Sequence, residues 1–155
     1  MFKPVFASVL SVGATAVLAV GALAAGGSTG PQHFNLTTPQ QCFPKGDILI
    51  CVSSSGEATS VVTPSGDFST DVNVTSTFSA TNLGVPVASG TSYTHEHDLF
   101  TSNFSVLQEM GLHGVSTVIS NGQTCTFSQA FHVTQLDLYT GTGQIQYDNV
   151  SLVCV

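Results

Sequence analysis

Four histidines are the residues best suited to chemistry in this 155-residue chain: His95 and His97 within the run His95-Glu96-His97-Asp98, then His113 and His132. Neutral imidazole nitrogens at His-x-His spacing on a strand project from one face. One or two more from adjacent strands would complete a ligand set suited to zinc or copper. The dipeptide Asn121-Gly122 is a strong two-residue hairpin signal, and a loop there pairs Ser120 with Gln123. It also sets Val118 opposite Cys125, Ser116 opposite Phe127 and His113 opposite Ala130, so His132 becomes a diagonal neighbour of His113 on the same face. Glu96 and Asp98 alternate with the histidines beside Ser92 and Thr94. That acidic face is expected to be wet, which turns the two imidazoles inward with Tyr93 and Leu99. The competing role is an ordinary one, polar side chains at a sheet rim bonded to neighbouring Ser and Thr.

Other chemistries are less well supplied. No serine sits in a G-x-S-x-G elbow, and His95-Glu96 is not followed by the second histidine of a zinc-peptidase helix. Carboxylates for glycoside cleavage, such as Glu57, Glu96 and Glu109, alternate with Ser or Thr on faces that read as solvated. Without tryptophan, a sugar-stacking platform would rest on Tyr93, Tyr139 and Tyr147. No catalytic residue and no cofactor is assigned, and the reading leans away from an enzyme. Two lysines, Lys3 and Lys45, and no arginine stand against nine acids, for a net charge of -7. A chain so poor in bases has nothing with which to neutralise a phosphate backbone, so nucleic acid is excluded as a partner.

The N-terminus points to export. Lys3 precedes an uncharged apolar run over residues 5–20, and Ala22-Leu23-Ala24 offers the small-x-small pattern of signal-peptide cleavage. Residues 1–24 are therefore read as a signal peptide, with the mature protein secreted and no longer attached to a membrane. Cys42, Cys51, Cys125 and Cys154 all follow the cut, and an even count in an exported chain reads as two disulfides. Cys42 and Cys51 bracket the turn Phe43-Pro44-Lys45-Gly46-Asp47, which favours their pairing and leaves Cys125 for Cys154. Their spacing lacks the C-x2-C pairs of structural zinc modules. Asn35, Asn73, Asn103 and Asn149 each begin an N-x-S/T sequon and are candidate glycosylation sites in a secretory pathway.

The elements that must position these residues read as strands. Residues 25–38 lack periodicity and suggest a flexible N-terminal segment, with a single all-β domain over 39–155. Residues 68–80 alternate cleanly, with Phe68, Val72, Val74 and Phe78 on one face and polar residues on the other. Pro64-Ser65-Gly66-Asp67 turns this strand back onto 57–63. The Asn82-Leu83-Gly84-Val85 turn leads into a strand over 87–100, in which Gly90 reads as a bulge. Phe104, Leu107 and Met110 have helical spacing, but their place inside a continuous β pattern favours a strand. Thr140-Gly141-Thr142-Gly143 makes the last turn before 144–155.

Six or seven antiparallel strands in a meander, stapled by disulfides, predict a small β-barrel or sandwich. Ser and Thr must supply solubility on the outward faces. The functional expectation is a non-enzymatic extracellular module, either ligand-binding or surface-structural, whose partner is a small molecule or a second copy of itself. The alternative is a metal-binding or metal-dependent role at His95, His97, His113 and His132, with zinc or copper.

Overall fold

The computed structural model describes residues 30–155, which form one seven-stranded antiparallel sheet. The strands are β1 (Gln32–Lys45), β2 (Ile48–Val62), β3 (Phe68–Asn82), β4 (Val85–Phe100), β5 (Val106–Ser120), β6 (Gln123–Asp137) and β7 (Gln144–Cys154). Spatial order equals chain order, so the topology is a meander with β1 and β7 at its edges. The expected signal peptide lies outside the described residues. The flexible segment expected to reach residue 38 ends earlier, because β1 starts at Gln32 and pairs with β2 from Gln32↔Ser60 onward. Phe34 and Leu36 explain the difference: they alternate with exposed neighbours and pack against Ala58 and Val72. Two apolar residues sufficed to anchor a stretch whose Gly, Pro and Thr content looked like linker.

The turns follow from residues that tolerate a left-handed backbone. Leu83-Gly84 (φ 49° and 83°) and Asn121-Gly122 (φ 52° and 77°) each carry positive φ at both central positions, the geometry whose twist matches that of the flanking strands. The Asn-Gly register is observed as expected, with Ser120↔Gln123, Val118↔Cys125 and His113↔Ala130. The β4–β5 connection is built around Asn103, whose Oδ1 accepts hydrogen bonds from the Ser105 amide and the hydroxyls of Thr101 and Ser105. Leu107 and Met110 lie in β5 as expected, but Phe104, at φ 55°, lies in this turn and outside the expected strand. It stacks on Phe68 with 4.5 Å between ring centroids and tilts against Phe100.

The two halves of the sheet differ along the strand direction. Toward the Phe68–Phe100–Phe104 cluster, the inner face buries Ala58, Val72, Leu107 and Val133 together with Ser60, Thr70, Glu96 and Asp98. Toward the opposite end, marked by the Gly46, Gly84 and Gly122 turns, no apolar side chain among the described residues is fully buried. Both disulfides lie in this thinly packed half. Cys42–Cys51 ties β1 to β2 and Cys125–Cys154 ties β7 to β6, each joining directly opposed residues. The edge strands are thus held covalently where burial is weakest, as small cores require.

Gly90 is not a bulge. The register runs through it without a break, Phe78↔Gly90↔Val118, and its missing side chain makes room for the Phe78 ring. The break occurs earlier. Thr81 pairs with Pro86 and Ala80 with Ala88, so Val87 is the extra residue, its carbonyl accepting a hydrogen bond from the Ser120 hydroxyl at 3.2 Å.

Candidate functional site

That single inserted residue decides which side of β4 faces inward. A two-residue loop at Leu83-Gly84 alone would oppose Val72 to His95. The bulge shifts the pairing by one, opposing Val72 to Glu96 and Thr70 to Asp98. A one-residue slip exchanges the two faces of a strand. Glu96 and Asp98 are therefore inside, 7% and 1% exposed, while His95 and His97 point outward. The expected inward lean of the imidazoles is overturned, and so is the expected solvation of the acids.

The four histidines nevertheless share one face of three adjacent strands. His95 lies directly opposite His113, while His97 and His132 flank Gly111 from either side. Each of three rings is engaged by a side-chain acceptor. His97 Nδ1 donates to Asp71 Oδ1 at 2.9 Å, His95 Nδ1 to Asn73 Oδ1 at 2.9 Å, and His132 Nε2 to Glu109 Oε1 at 3.1 Å. The Tyr93 hydroxyl also donates to Asn73 Oδ1, at 2.8 Å. Among the described residues these contacts leave Nε2 of His95 and His97 without a protein partner and with a lone pair in the neutral ring. Among the described residues, however, no three or more His, Cys, Asp or Glu side chains come together in an arrangement that could hold a metal ion.

The candidate glycosylation residues fall unevenly. Asn35, Asn73 and Asn149 occupy one row across the outer face, Asn35↔Glu57↔Asn73↔His95↔His113↔Ala130↔Asn149, and Asn103 sits in the β4–β5 turn. A shallow depression of about 320 Å³ opens on this outer face beside Asn35, Glu57, Asn73 and Tyr93.

The inner face carries the features that residue patterning did not reveal. Asp98 has both carboxylate oxygens buried without a hydrogen-bond partner. Burial is the main cause that pushes its carboxyl up to about 8, reinforced by the nearby charges of Glu96 and Asp71. Burial also raises Glu96. At neutral pH the Asp98 side chain is consequently a neutral acid. Toward the end marked by the Gly46, Gly84 and Gly122 turns the inner face changes character by rows. Ser54, Ser76, Ser92 and Ser116 lie side by side across β2 to β5, all half-buried. Beyond them come Val52, Phe78, Val118 and Cys125, then Phe43, Ile50, Ala80 and Ala88. No charged side chain occurs in these three rows. A search for the serine row from sequence would have required the bulge at Val87, since without it the four serines do not align.

No family model, curated protein or solved structure matches this chain.

Proposed function

We propose that this protein is a secreted, non-enzymatic module that holds a small, uncharged amphipathic molecule on the inner face of its sheet. The observation that carries the reading is the row of four half-buried serines, with the apolar row of Val52, Phe78 and Val118 on one side and the mixed row of Gly56, Val74, Thr94 and Gly114 on the other. Where a sheet normally covers its inner face with Leu, Ile or Phe, this one places four hydroxyls side by side. A ligand there finds hydrogen-bond partners at the waist and apolar contact from Val52, Phe78, Val118 and Phe127. On this reading the sheet is an unfinished barrel and not a sandwich, because it is one continuous meander whose inner face lacks a second layer among the described residues. Secretion agrees with two disulfides, which persist in oxidising compartments.

The test is titration with N-phenyl-1-naphthylamine, an uncharged apolar fluorophore. Saturable binding is expected in the wild type. Ser92→Leu, which fills the waist, should weaken it by about tenfold or more, whereas Thr91→Leu on the outer face should leave it unchanged. Absence of saturable binding in the wild type, or equal losses in both variants, would refute the proposal.

A second reading, metal binding on the outer face, is favoured by one observation. His97 is oriented by Asp71 in the manner of a carboxylate behind a ligating imidazole, with Nε2 turned away from that contact. Addition of zinc or copper is then expected to raise the melting temperature, and His97→Ala and His113→Ala each to abolish the rise. An unchanged melting temperature in excess metal sinks this reading.

A further inference from the structure

The two edges of the sheet are not alike. β1 carries Pro39 and Pro44, neither of which has an N–H to donate, and its register is broken between Thr38 and Gln41. These are features that blunt an edge against pairing. β7 has no proline, no lysine and no arginine, and residues 149–155, Asn-Val-Ser-Leu-Val-Cys-Val, have no charged side chain and are exposed throughout. Val155 exchanges backbone hydrogen bonds with Thr124, its N–H and C=O both turned toward β6. Because these groups alternate in direction along an antiparallel strand, those of Val150, Leu152 and Cys154 point out of the sheet. Among the described residues no strand receives them.

We infer that β7 is the interface through which two copies of this chain pair, β7 against β7 in antiparallel register about a two-fold axis, making one continuous sheet. A row of outward N–H and C=O groups on an exposed edge is a template for pairing with another strand. Charge selects which strand. The acids of β2 to β7 are Glu57, Asp71, Glu96, Asp98, Glu109, Asp137 and Asp148, all in the half of the sheet away from the Gly46, Gly84 and Gly122 turns. Two molecules this acidic approach each other with least repulsion through a segment without charged side chains. A basic partner would find nothing in 149–155 to attract it. Pairing centred on Leu152 sets Leu152 against Leu152, Ser151 against Val153 and Val150 against Cys154. It covers Val150 and Leu152 on one face and Val153 and Val155 on the other, side chains now 58–87% exposed. The disulfide at Cys154 holds the strand in place before any partner arrives. A single strand pair is a small interface, which puts the dissociation constant on the order of micromolar.

The protein, expressed from its full sequence and purified as exported, is to be examined by sedimentation velocity from about 1 to about 200 µM, a range that spans that constant. A reversible monomer–dimer equilibrium is expected. Leu152→Pro removes an N–H that points outward and spares the ladder to β6, so it should weaken dimerisation by about 100-fold, one bond being lost from each copy. Should Leu152→Pro fail to fold, Leu152→Lys decides, since two lysines opposed across the axis repel. Pro44→Thr on β1 should leave the equilibrium as it is. A wild type that stays monomeric throughout, or a dimer that survives Leu152→Lys, overturns the inference.

Discussion

Replacing Asp98 by asparagine is expected to raise the melting temperature at neutral and alkaline pH, with a gain that grows as pH rises. In the unfolded chain the Asp98 carboxyl titrates near 3.8, whereas burial without a partner lifts it to about 8 in the folded state. Between those values the folded protein keeps a proton that the unfolded chain has released. Stability from this group is therefore fully present below about pH 4, falls as pH rises, and levels off above about 8. At 1.36 kcal/mol per pH unit, the loss amounts to about 4 kcal/mol by pH 7 and about 5 to 6 kcal/mol by pH 8. Asparagine has nearly the shape of the neutral acid and has no proton to lose, so the variant lacks this slope. For a chain of this size the difference corresponds to a shift on the order of 10 °C near pH 8. Thermal unfolding of both proteins from pH 4 to pH 9 measures it. Parallel profiles would show that Asp98 ionises freely and is solvated in the folded state.

The same residue shows where sequence reading reached its limit. Strand content, the Asn121-Gly122 register and the pairing of Cys42 with Cys51 all rest on local features: alternation, turn residues and short loop closure. Such signals are complete within a few residues. The faces of β4 depend instead on Val87, a bulge with no compositional mark, placed three residues beyond the Leu83-Gly84 turn. Everything beyond it changes sides. Reading acids as wet and imidazoles as inward followed the usual energetic preference, and the register overrode it by burying two carboxylates, one of which keeps its proton. His95, His97, His113 and His132 still share one face, because a slip moves all residues of a strand together and the β4–β5 pairing sets His95 opposite His113. The row of serines became visible only once strands far apart in the chain were aligned.

The close approach of β2 to β3 was likewise hidden from patterning, and glycine substitution exposes it. Gly56 and Gly111 both sit within strands, yet they differ in what a methyl group would meet. At Gly56 an added Cβ falls onto the Asn73 carbonyl oxygen and lies 2.9 Å from Val74 Cα, because β2 closes tightly on β3 there. At Gly111 nothing stands within 4 Å. Backbone atoms of a paired strand have no rotamer by which to withdraw, so Gly56→Ala must part β2 from β3 around the Glu57↔Asn73 pair. The expected cost is about 4 kcal/mol or more, at the upper end for overpacking and comparable to much of the stability of a small domain. Gly111→Ala is expected to be neutral or stabilising by up to about 1 kcal/mol, since alanine surrenders less backbone entropy in a strand. Gly114→Ala falls between, because the nearest atoms belong to the flexible Gln129 side chain at 3.4 Å and 3.5 Å. Urea unfolding of the three variants ranks them. If Gly56→Ala unfolds within about 1 kcal/mol of Gly111→Ala, then β2 and β3 do not approach closely enough at Gly56 to exclude a methyl group.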